Sequence, residues 1–251
     1  MNRQNNRHLV RGIYLLPNLF TVAALFAGFY AIIAATHAHF FVSACAIFIA
    51  MLFDALDGRI ARMTNTQTEF GAQMDSLSDM VCFGVTPALV LYMWSLQVLG
   101  KLGWLIAFLY VVCTALRLAR FNAQTQSDNK RFFQGLPTPA AAGAVAGLVA
   151  TCAELQIYGP QIAKLVMCFT VVLGLLKVST LRYRSFKDVD IRHRVPFIIV
   201  LLIVLALVVI AYQPTATLFC LFLIYVVTGP VSTVWGLRRF KQRKQRGHGD
   251  E

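Results

Sequence analysis

The chain has 251 residues, of which 58% are hydrophobic and only 14% are charged. Because soluble domains average about a quarter charged residues, this composition excludes an ordinary soluble domain and indicates an integral membrane protein. The formal net charge is +12, but the Lys and Arg residues cluster at the termini and in a few loops. That distribution suits the anionic face of a lipid bilayer, with no nucleic acid as partner. The six cysteines lie apart in apolar segments, which indicates neither a disulfide framework nor a zinc site.

The predicted elements begin with an arm at residues 1–12, which either lies along the membrane interface or forms a disordered topogenic tail. It does not have the pattern of a cleaved signal peptide. A helix that crosses the hydrocarbon core needs about 20 apolar residues. By that rule the sequence predicts an all-α, polytopic membrane helix bundle of about eight transmembrane helices, at residues 13–35, 39–62, 71–97, 102–121, 137–154, 161–179, 195–212 and 215–236.

Basic residues mark alternate ends of these spans. They are concentrated in the N-terminal arm, the second, fourth and sixth connections and the C-terminal tail, whereas the intervening connections hold almost none. The positive-inside rule therefore predicts that both termini, and the polar stretch after the second span, lie on the cytoplasmic side.

That polar stretch is DALDGRIARMTNTQTEFGAQMDSLSD, residues 54–79, and it carries four aspartates. Residues three or four apart share one face of a helix, so Asp54 pairs with Asp57, and Asp75 pairs with Asp79. The polar residues MTNTQTEF between the pairs can turn the chain. We therefore expect two antiparallel helices whose aspartate pairs face each other near the cytoplasmic surface.

Four carboxylates in one place need counter-charge, of which Arg62 can supply only part. A site made of carboxylates alone selects hard divalent ions such as Mg²⁺, Mn²⁺ or Ca²⁺, and two such ions suit phosphoryl transfer. Gly58 and Gly71 would let a phosphate or nucleotide approach the backbone. Two alternatives are interhelical polar contacts without chemistry and a cation-coupled transporter, whose ionisable residues would be dispersed over several spans.

The same stretch resembles the signature of the CDP-alcohol phosphatidyltransferases. That signature is DG, two residues, AR, eight residues, G, three residues, D, three residues and D, and residues 57–79 fit it without departure. The resemblance implies an enzyme that transfers a phosphatidyl group from a CDP-linked lipid to an alcohol and releases CMP. It also implies that Asp54, Asp57 and Asp75 hold one divalent ion, and that Asp54, Asp75 and Asp79 surround a second, with Asp79 as the general base.

The resemblance further implies a set of residues that bind CDP-diacylglycerol. Gly58 and Arg62 would contact this lipid, with Arg62 near its phosphates, and Thr68 in the turn would contact the nucleotide. In the first span, PNLFT looks like the other nucleotide-facing segment of the family, with Asn18 and Thr21 as its polar contacts.

Three other stretches, LLPNLFTVAALFAGFYAI, LRLARFNAQ and FQGLPTPAAA, look like the branch of the family that uses L-serine as its acceptor. Arg117, Arg120 and Asn122 would then bind serine, because a carboxylate pairs well with a guanidinium. Positive-inside anchoring is an alternative role for these arginines. Glycerol 3-phosphate or an inositol phosphate would also favour basic residues, so charge alone leaves the acceptor open.

The family pattern implies a six-helix core at residues 13–181. A basic connection with two additional transmembrane helices at 182–236 and a basic tail at 237–251 would follow that core. Gly143 and Gly147 in the fifth span form a small-xxx-small face for close helix packing, either inside the bundle or in the homodimer that is common in the family.

Overall fold

The computed structural model describes residues 3–64, 66, 68–125, 135–181 and 212–246. All regular structure in these ranges is helical. The α-helices are α1 (Arg3–Thr36), α2 (Phe40–Met63), α3 (Glu69–Asp79), α4 (Thr86–Trp94), α5 (Lys101–Thr125), α6 (Thr138–Glu154), α7 (Ala163–Val178) and α8 (Pro214–Arg246). A π-helical turn, Met80–Val85, joins α3 to α4, and short 3₁₀ turns precede α5 and α7.

The protein is a multi-pass membrane protein. Within the described residues, six segments are long and apolar enough to cross a bilayer: Pro17–Thr36, Phe40–Met63, Glu69–Trp94, Lys101–Ala123, Gly159–Val178 and Pro214–Val231. They coincide with the first, second, third, fourth, sixth and eighth predicted spans. The fifth predicted span, 137–154, is the 17-residue helix α6, whereas nearly all of the seventh, 195–212, lies outside the described residues.

Helices α1 and α2 form an antiparallel pair with a seam of small residues. Ala27, Ala31 and Ala35 of α1 are buried, as are Ala44 and Ala50 of α2. Small side chains let helix backbones approach closely, which matters in lipid because lipid tails give two helices no hydrophobic reason to associate. The two helices are thus closely packed, and α3 and α4 pack against α1.

The third span is fastened to α1 by three hydrogen bonds from side chains to backbone carbonyls. Ser78 Oγ donates to Thr21 O (3.3 Å), and Thr86 Oγ1 donates to Gly28 O (3.2 Å). Between them, the Cys82 thiol donates to the carbonyl of Ala24 (3.2 Å). Because 78, 82 and 86 are four apart, they line one face across the π-helical turn. These bonds fix the height of α3 relative to α1.

Helix α6 is enclosed by protein, since 13 of its 17 residues are buried. Its glycines face α8: a Cβ on Gly143 would lie 2.6 Å from the ring of Phe222, and one on Gly147 would lie 2.8 Å from Phe219 Cα. Of the two uses predicted for the small-xxx-small face, the structure therefore shows internal packing. It also shows that α8, in the last predicted span, contacts the core directly.

Gly147→Ala tests this contact. The added methyl would meet the backbone of Phe219, which cannot rotate away, and overpacking of this kind costs about 1–3 kcal/mol. We expect a lower midpoint of thermal unfolding in detergent. The matched control is Gly174→Ala in α7, where the nearest atom would be Cys113 Sγ at 3.5 Å, an ordinary contact. Equal effects of the two substitutions would contradict the close α6–α8 approach.

Candidate active site

The four predicted carboxylates lie together between α2, which carries Asp54 and Asp57, and α3, which carries Asp75 and Asp79. Oxygen atoms of Asp54, Asp57 and Asp75 all lie within 4.8 Å of one another. The carboxyl group of Asp79, one turn further along α3, is close enough to Asp54 for a hydrogen bond and also interacts with Asp75. The structure thus brings both aspartate pairs into one cluster.

A tight polar turn produces this arrangement. At the end of α2, Thr64 N bonds to Ile60 O (2.9 Å), and Thr66 N bonds to Ala61 O (3.2 Å). Thr68 then caps α3, because its hydroxyl oxygen accepts a hydrogen bond from Gly71 N (3.0 Å). The N-cap satisfies one of the free N–H groups at the helix start. The chain therefore reverses within a few residues and places α3 beside α2.

Helix α1 contributes to the cluster through Thr21. This buried hydroxyl donates to Asp57 Oδ2 at 2.8 Å and also lies 3.2 Å from Pro17 O. The bond holds the most buried of the three clustered aspartates, of which only 4% of the surface is exposed. Thr21 was predicted to contact the nucleotide, and the structure gives it a contact with the acidic cluster.

The cluster needs a cation. Two unit charges 4.8 Å apart repel by about 3 kcal/mol at the effective dielectric constant typical of proteins. Among the described residues, no arginine or lysine forms an ion pair with these aspartates, and one oxygen of Asp79, Oδ1, is buried without a hydrogen-bond partner. An all-carboxylate donor set of this size fits a hard divalent ion such as Mn²⁺ or Mg²⁺. Asp54, Asp57 and Asp75 could therefore hold a metal ion.

A cavity of about 200 Å³ opens beside the cluster. Its lining includes Asp57 and Asp75 and all five residues that the sequence predicted for CDP-diacylglycerol, namely Asn18, Thr21, Gly58, Arg62 and Thr68. A Cβ on Gly58 would have only the Arg62 guanidinium within 4 Å, at 3.8 Å. Gly58 therefore leaves open space, and this space lies next to a cationic side chain.

Gly71 forms a more crowded part of the same lining. A Cβ there would lie 3.1 Å from Thr68 Oγ1 and 3.2 Å from Asn18 Oδ1. A side chain at this position would push against the α3 cap and against Asn18, so the glycine preserves the lining between α1 and α3.

The three predicted acceptor residues differ in how they are placed. Arg120 donates to Val178 O at the end of α7 (3.0 Å), and Asn122 exchanges hydrogen bonds with Ser76 of α3 (3.1 and 3.3 Å). Arg117 bonds through one terminal nitrogen to Thr138 (3.3 Å), but its Nε is buried without a partner. Arg117 also interacts electrostatically with Asp79, a member of the acidic cluster.

Sequence reasoning missed Lys177, a fully buried lysine behind Arg117. The sequence feature that could have identified it as a functional residue is a lysine within an apolar helix. Its position near the end of the sixth predicted span, however, is also where a basic residue commonly anchors a helix at the interface.

Comparison with known proteins agrees with the site. The sequence model of the family described as CDP-alcohol phosphatidyltransferase matches residues 14–176. This range contains the whole aspartate cluster and the cavity beside it. The chain belongs to the CDP-alcohol phosphatidyltransferase family.

Several relatives share a more specific name. A CDP-diacylglycerol–serine O-phosphatidyltransferase of Helicobacter pylori is 38% identical over 218 residues, which cover 86% of this chain and 91% of that protein. The enzyme of the same name from Methanocaldococcus jannaschii is 32% identical over 190 residues, covering 76% and 83% of the two chains. A crystal structure of Mycobacterium tuberculosis phosphatidylinositol phosphate synthase, in complex with manganese and citrate, matches with a TM-score of 0.48 and 20% identity, covering 71% and 85%.

Binding of Mn²⁺ to the aspartate cluster can be measured as a thermal shift. A ligand that binds only the folded protein stabilises it, by about 2.7 kcal/mol at a hundred times its dissociation constant. We expect Mn²⁺ to raise the unfolding midpoint of the native protein, and Asp57→Asn and Asp75→Asn each to remove most of that rise. Glu69→Gln, which alters an exposed acid on α3, is the matched control. A full shift in both aspartate variants would place the ion elsewhere.

Proposed function

We propose that this protein transfers the phosphatidyl group of CDP-diacylglycerol to the hydroxyl group of L-serine and so produces phosphatidylserine and CMP. The observation that carries the proposal is that the acidic cluster adjoins a cavity lined by all five predicted CDP-diacylglycerol residues. Family membership supports the phosphatidyl transfer. The names of the relatives from Helicobacter pylori and Methanocaldococcus jannaschii support serine as the acceptor.

The cavity suits the CDP end of the lipid. In this proposal Arg62 lies near the two phosphates, and the open face of Gly58 lets them approach α2. Asn18 and Thr68 flank the nucleotide, with the Thr68 hydroxyl also engaged as the cap of α3. We assign two divalent ions to the cluster, one held by Asp54, Asp57 and Asp75 and a second surrounded by Asp54, Asp75 and Asp79. Such ions, when bound, neutralise phosphate charge and polarise the phosphorus.

The reaction is a substitution at phosphorus. The serine oxygen forms a bond to the phosphorus that carries the diacylglycerol, the bond from that phosphorus to the bridging oxygen breaks, and CMP leaves with the electron pair. Asp79 accepts the serine hydroxyl proton in this proposal. Its buried Oδ1 has no hydrogen-bond partner among the described residues, so it is available as an acceptor, and a base must lie within hydrogen-bond reach of the proton it takes.

Arg117 is the acceptor residue best placed for this reaction. The Nε of its guanidinium has no hydrogen-bond partner among the described residues, and the guanidinium interacts electrostatically with Asp79. A carboxylate bound there would bring the serine hydroxyl towards the base. Arg120 and Asn122 make contacts within the protein, so we assign them the support of this pocket as well as their predicted contact with serine.

The proposed active site lies on the cytoplasmic side of the membrane. Arg59 and Arg62 mark the end of the second span, and Arg117 and Arg120 mark the end of the fourth. The positive-inside rule supports this orientation for both ends. The homodimer implied by the family resemblance remains a prediction. Family membership also removes the reason to favour a cation-coupled transporter.

CMP release by the purified protein tests the proposed reaction and its acceptor together. The protein in detergent is given CDP-diacylglycerol and Mn²⁺ or Mg²⁺, with L-serine, glycerol 3-phosphate or an inositol phosphate in separate reactions. We expect release with L-serine alone and none after EDTA. Release with another acceptor would keep the chemistry and overturn the choice of serine. No release from folded protein with any acceptor would overturn the transfer reaction itself.

Asp79→Asn tests the general base. The amide keeps the shape of the side chain but cannot take a proton, and general-base catalysis contributes about 10²–10⁴-fold. We expect kcat to fall by at least about 10²-fold, with the affinity for CDP-diacylglycerol changed far less. Glu69→Gln on the same helix is the matched control, because it makes the same carboxyl-to-amide change at an exposed position outside the cavity lining. If binding and turnover fell together in Asp79→Asn, the residue would act mainly as a metal ligand.

A further inference from the structure

Lys177 is a lysine buried inside the helix bundle. It lies one residue before the end of α7 and has no exposed surface. Its Nζ donates a hydrogen bond to Thr114 Oγ1 at 2.7 Å and lies 3.3 Å from the centre of the Tyr110 ring. Within the part of the chain that the structure describes, no carboxylate forms an ion pair with it.

The surroundings of Lys177 are arranged for a positive charge. The Thr114 hydroxyl donates its own proton to Tyr110 O (2.8 Å), so its oxygen turns a lone pair towards Nζ. The face of a tyrosine ring also attracts a cation. Burying an unpaired ammonium is nevertheless costly by several kcal/mol, and one hydroxyl and one ring offset only part of that cost. A bound anion would supply the rest.

Arg117 interacts with both Lys177 and the acidic cluster. Thr114 and Arg117 are three residues apart on α5 and share a face. The Arg117 guanidinium interacts electrostatically with Lys177 and with Asp79. Among the described residues, Asp79 is the carboxylate that interacts with Arg117, and the Nε of Arg117 lacks a partner. With Lys177 protonated, the two basic groups therefore outnumber the carboxylate here by one.

The end of α7 is held firmly, which fixes the position of Lys177. Leu136 N donates to Leu176 O (3.0 Å), and Arg120 donates to Val178 O (3.0 Å). Gly135 has a positive φ of 84°, and a Cβ there would lie 2.3 Å from Lys177 O. The loop before α6 is therefore packed directly on the backbone of Lys177.

We propose that Lys177 is a positioning and specificity residue for the carboxylate of the acceptor amino acid. It acts through Arg117 without touching the acceptor: its charge, behind the guanidinium, makes the pocket favour one anionic group beside Asp79. This inference rests on the proposed function. It explains why a buried lysine has no acidic partner among the described residues, since the substrate supplies the negative charge.

The test compares L-serine with L-serinamide, which keeps the hydroxyl and amino groups but lacks the carboxylate. For the native protein we expect kcat/KM to favour serine strongly. In Lys177→Met we expect that preference to fall about tenfold or more, through a higher KM for serine, while the KM for CDP-diacylglycerol stays within about twofold. Lys177→Arg should restore much of the preference. Lys164→Met removes the same charge from an exposed position on α7 and should change nothing.

The outcomes separate this inference from the proposed function. If no acceptor is used at all, the reaction is wrong; if serine is used but Lys177→Met keeps the native preference over serinamide, only the inference is wrong. A folding defect in Lys177→Met would appear in size-exclusion chromatography. In that case Lys177→Arg decides, because the folded arginine variant should keep most of the native preference for serine over serinamide, and loss of that preference would overturn the inference. Glycerol 3-phosphate used in place of serine would assign the pocket to a phosphate.

Discussion

The mutual repulsion of three carboxylates is the constraint on which the rest of this structure depends. Asp54, Asp57 and Asp75 hold their oxygens within 4.8 Å of one another inside an apolar bundle, where each charge is costly. Packing alone would let α2 and α3 move apart. Helix α1 prevents this, because Thr21 bonds to Asp57 while the carbonyls of α1 accept the hydrogen bonds from Ser78, Cys82 and Thr86. Helix α1 thus holds together α2 and α3, the two helices that carry the acidic cluster.

The remaining helices stiffen the bundle in which α1 holds α2 and α3 together. In lipid, helices associate through close packing and hydrogen bonds and not through the hydrophobic effect. Helix α6 accordingly consists largely of Ala, Gly and Val and is buried on nearly every side. Gly143 and Gly147 admit Phe222 and Phe219 of α8 at distances that any side chain would prevent. The last described helix therefore stabilises the bundle although it contributes nothing to the cavity.

Local spacing predicted the acidic cluster well, because helical periodicity fixes which aspartates share a face. The short polar turn after α2 then requires α3 to lie beside α2. The five cavity residues were predicted through family resemblance, and all of them lie in the lining of one cavity. Partners distant in sequence were not predictable. Arg120 meets Val178, Thr21 meets Asp57, and Lys177 meets Tyr110 across helices whose relative rotation no local pattern specifies. Hydropathy likewise identified α6 as apolar without showing that protein, not lipid, surrounds it.

Charges of opposite sign on the two sides of the bundle would orient the acceptor in the proposed reaction. The acidic side, from α2 and α3, attracts cations, and Arg62, which we propose lies near the phosphates, lines the adjoining cavity. The basic side, from α5 and α7, forms no ion pair with a carboxylate among the described residues. Asp79 of the acidic side interacts with Arg117 of the basic side. In the proposed reaction, an acceptor that carries both a hydroxyl and an anionic group would therefore bind in one orientation, with its anion at Arg117 and its hydroxyl at the base. An alcohol without the anion would lack that orientation, which ties acceptor selection to the geometry of attack.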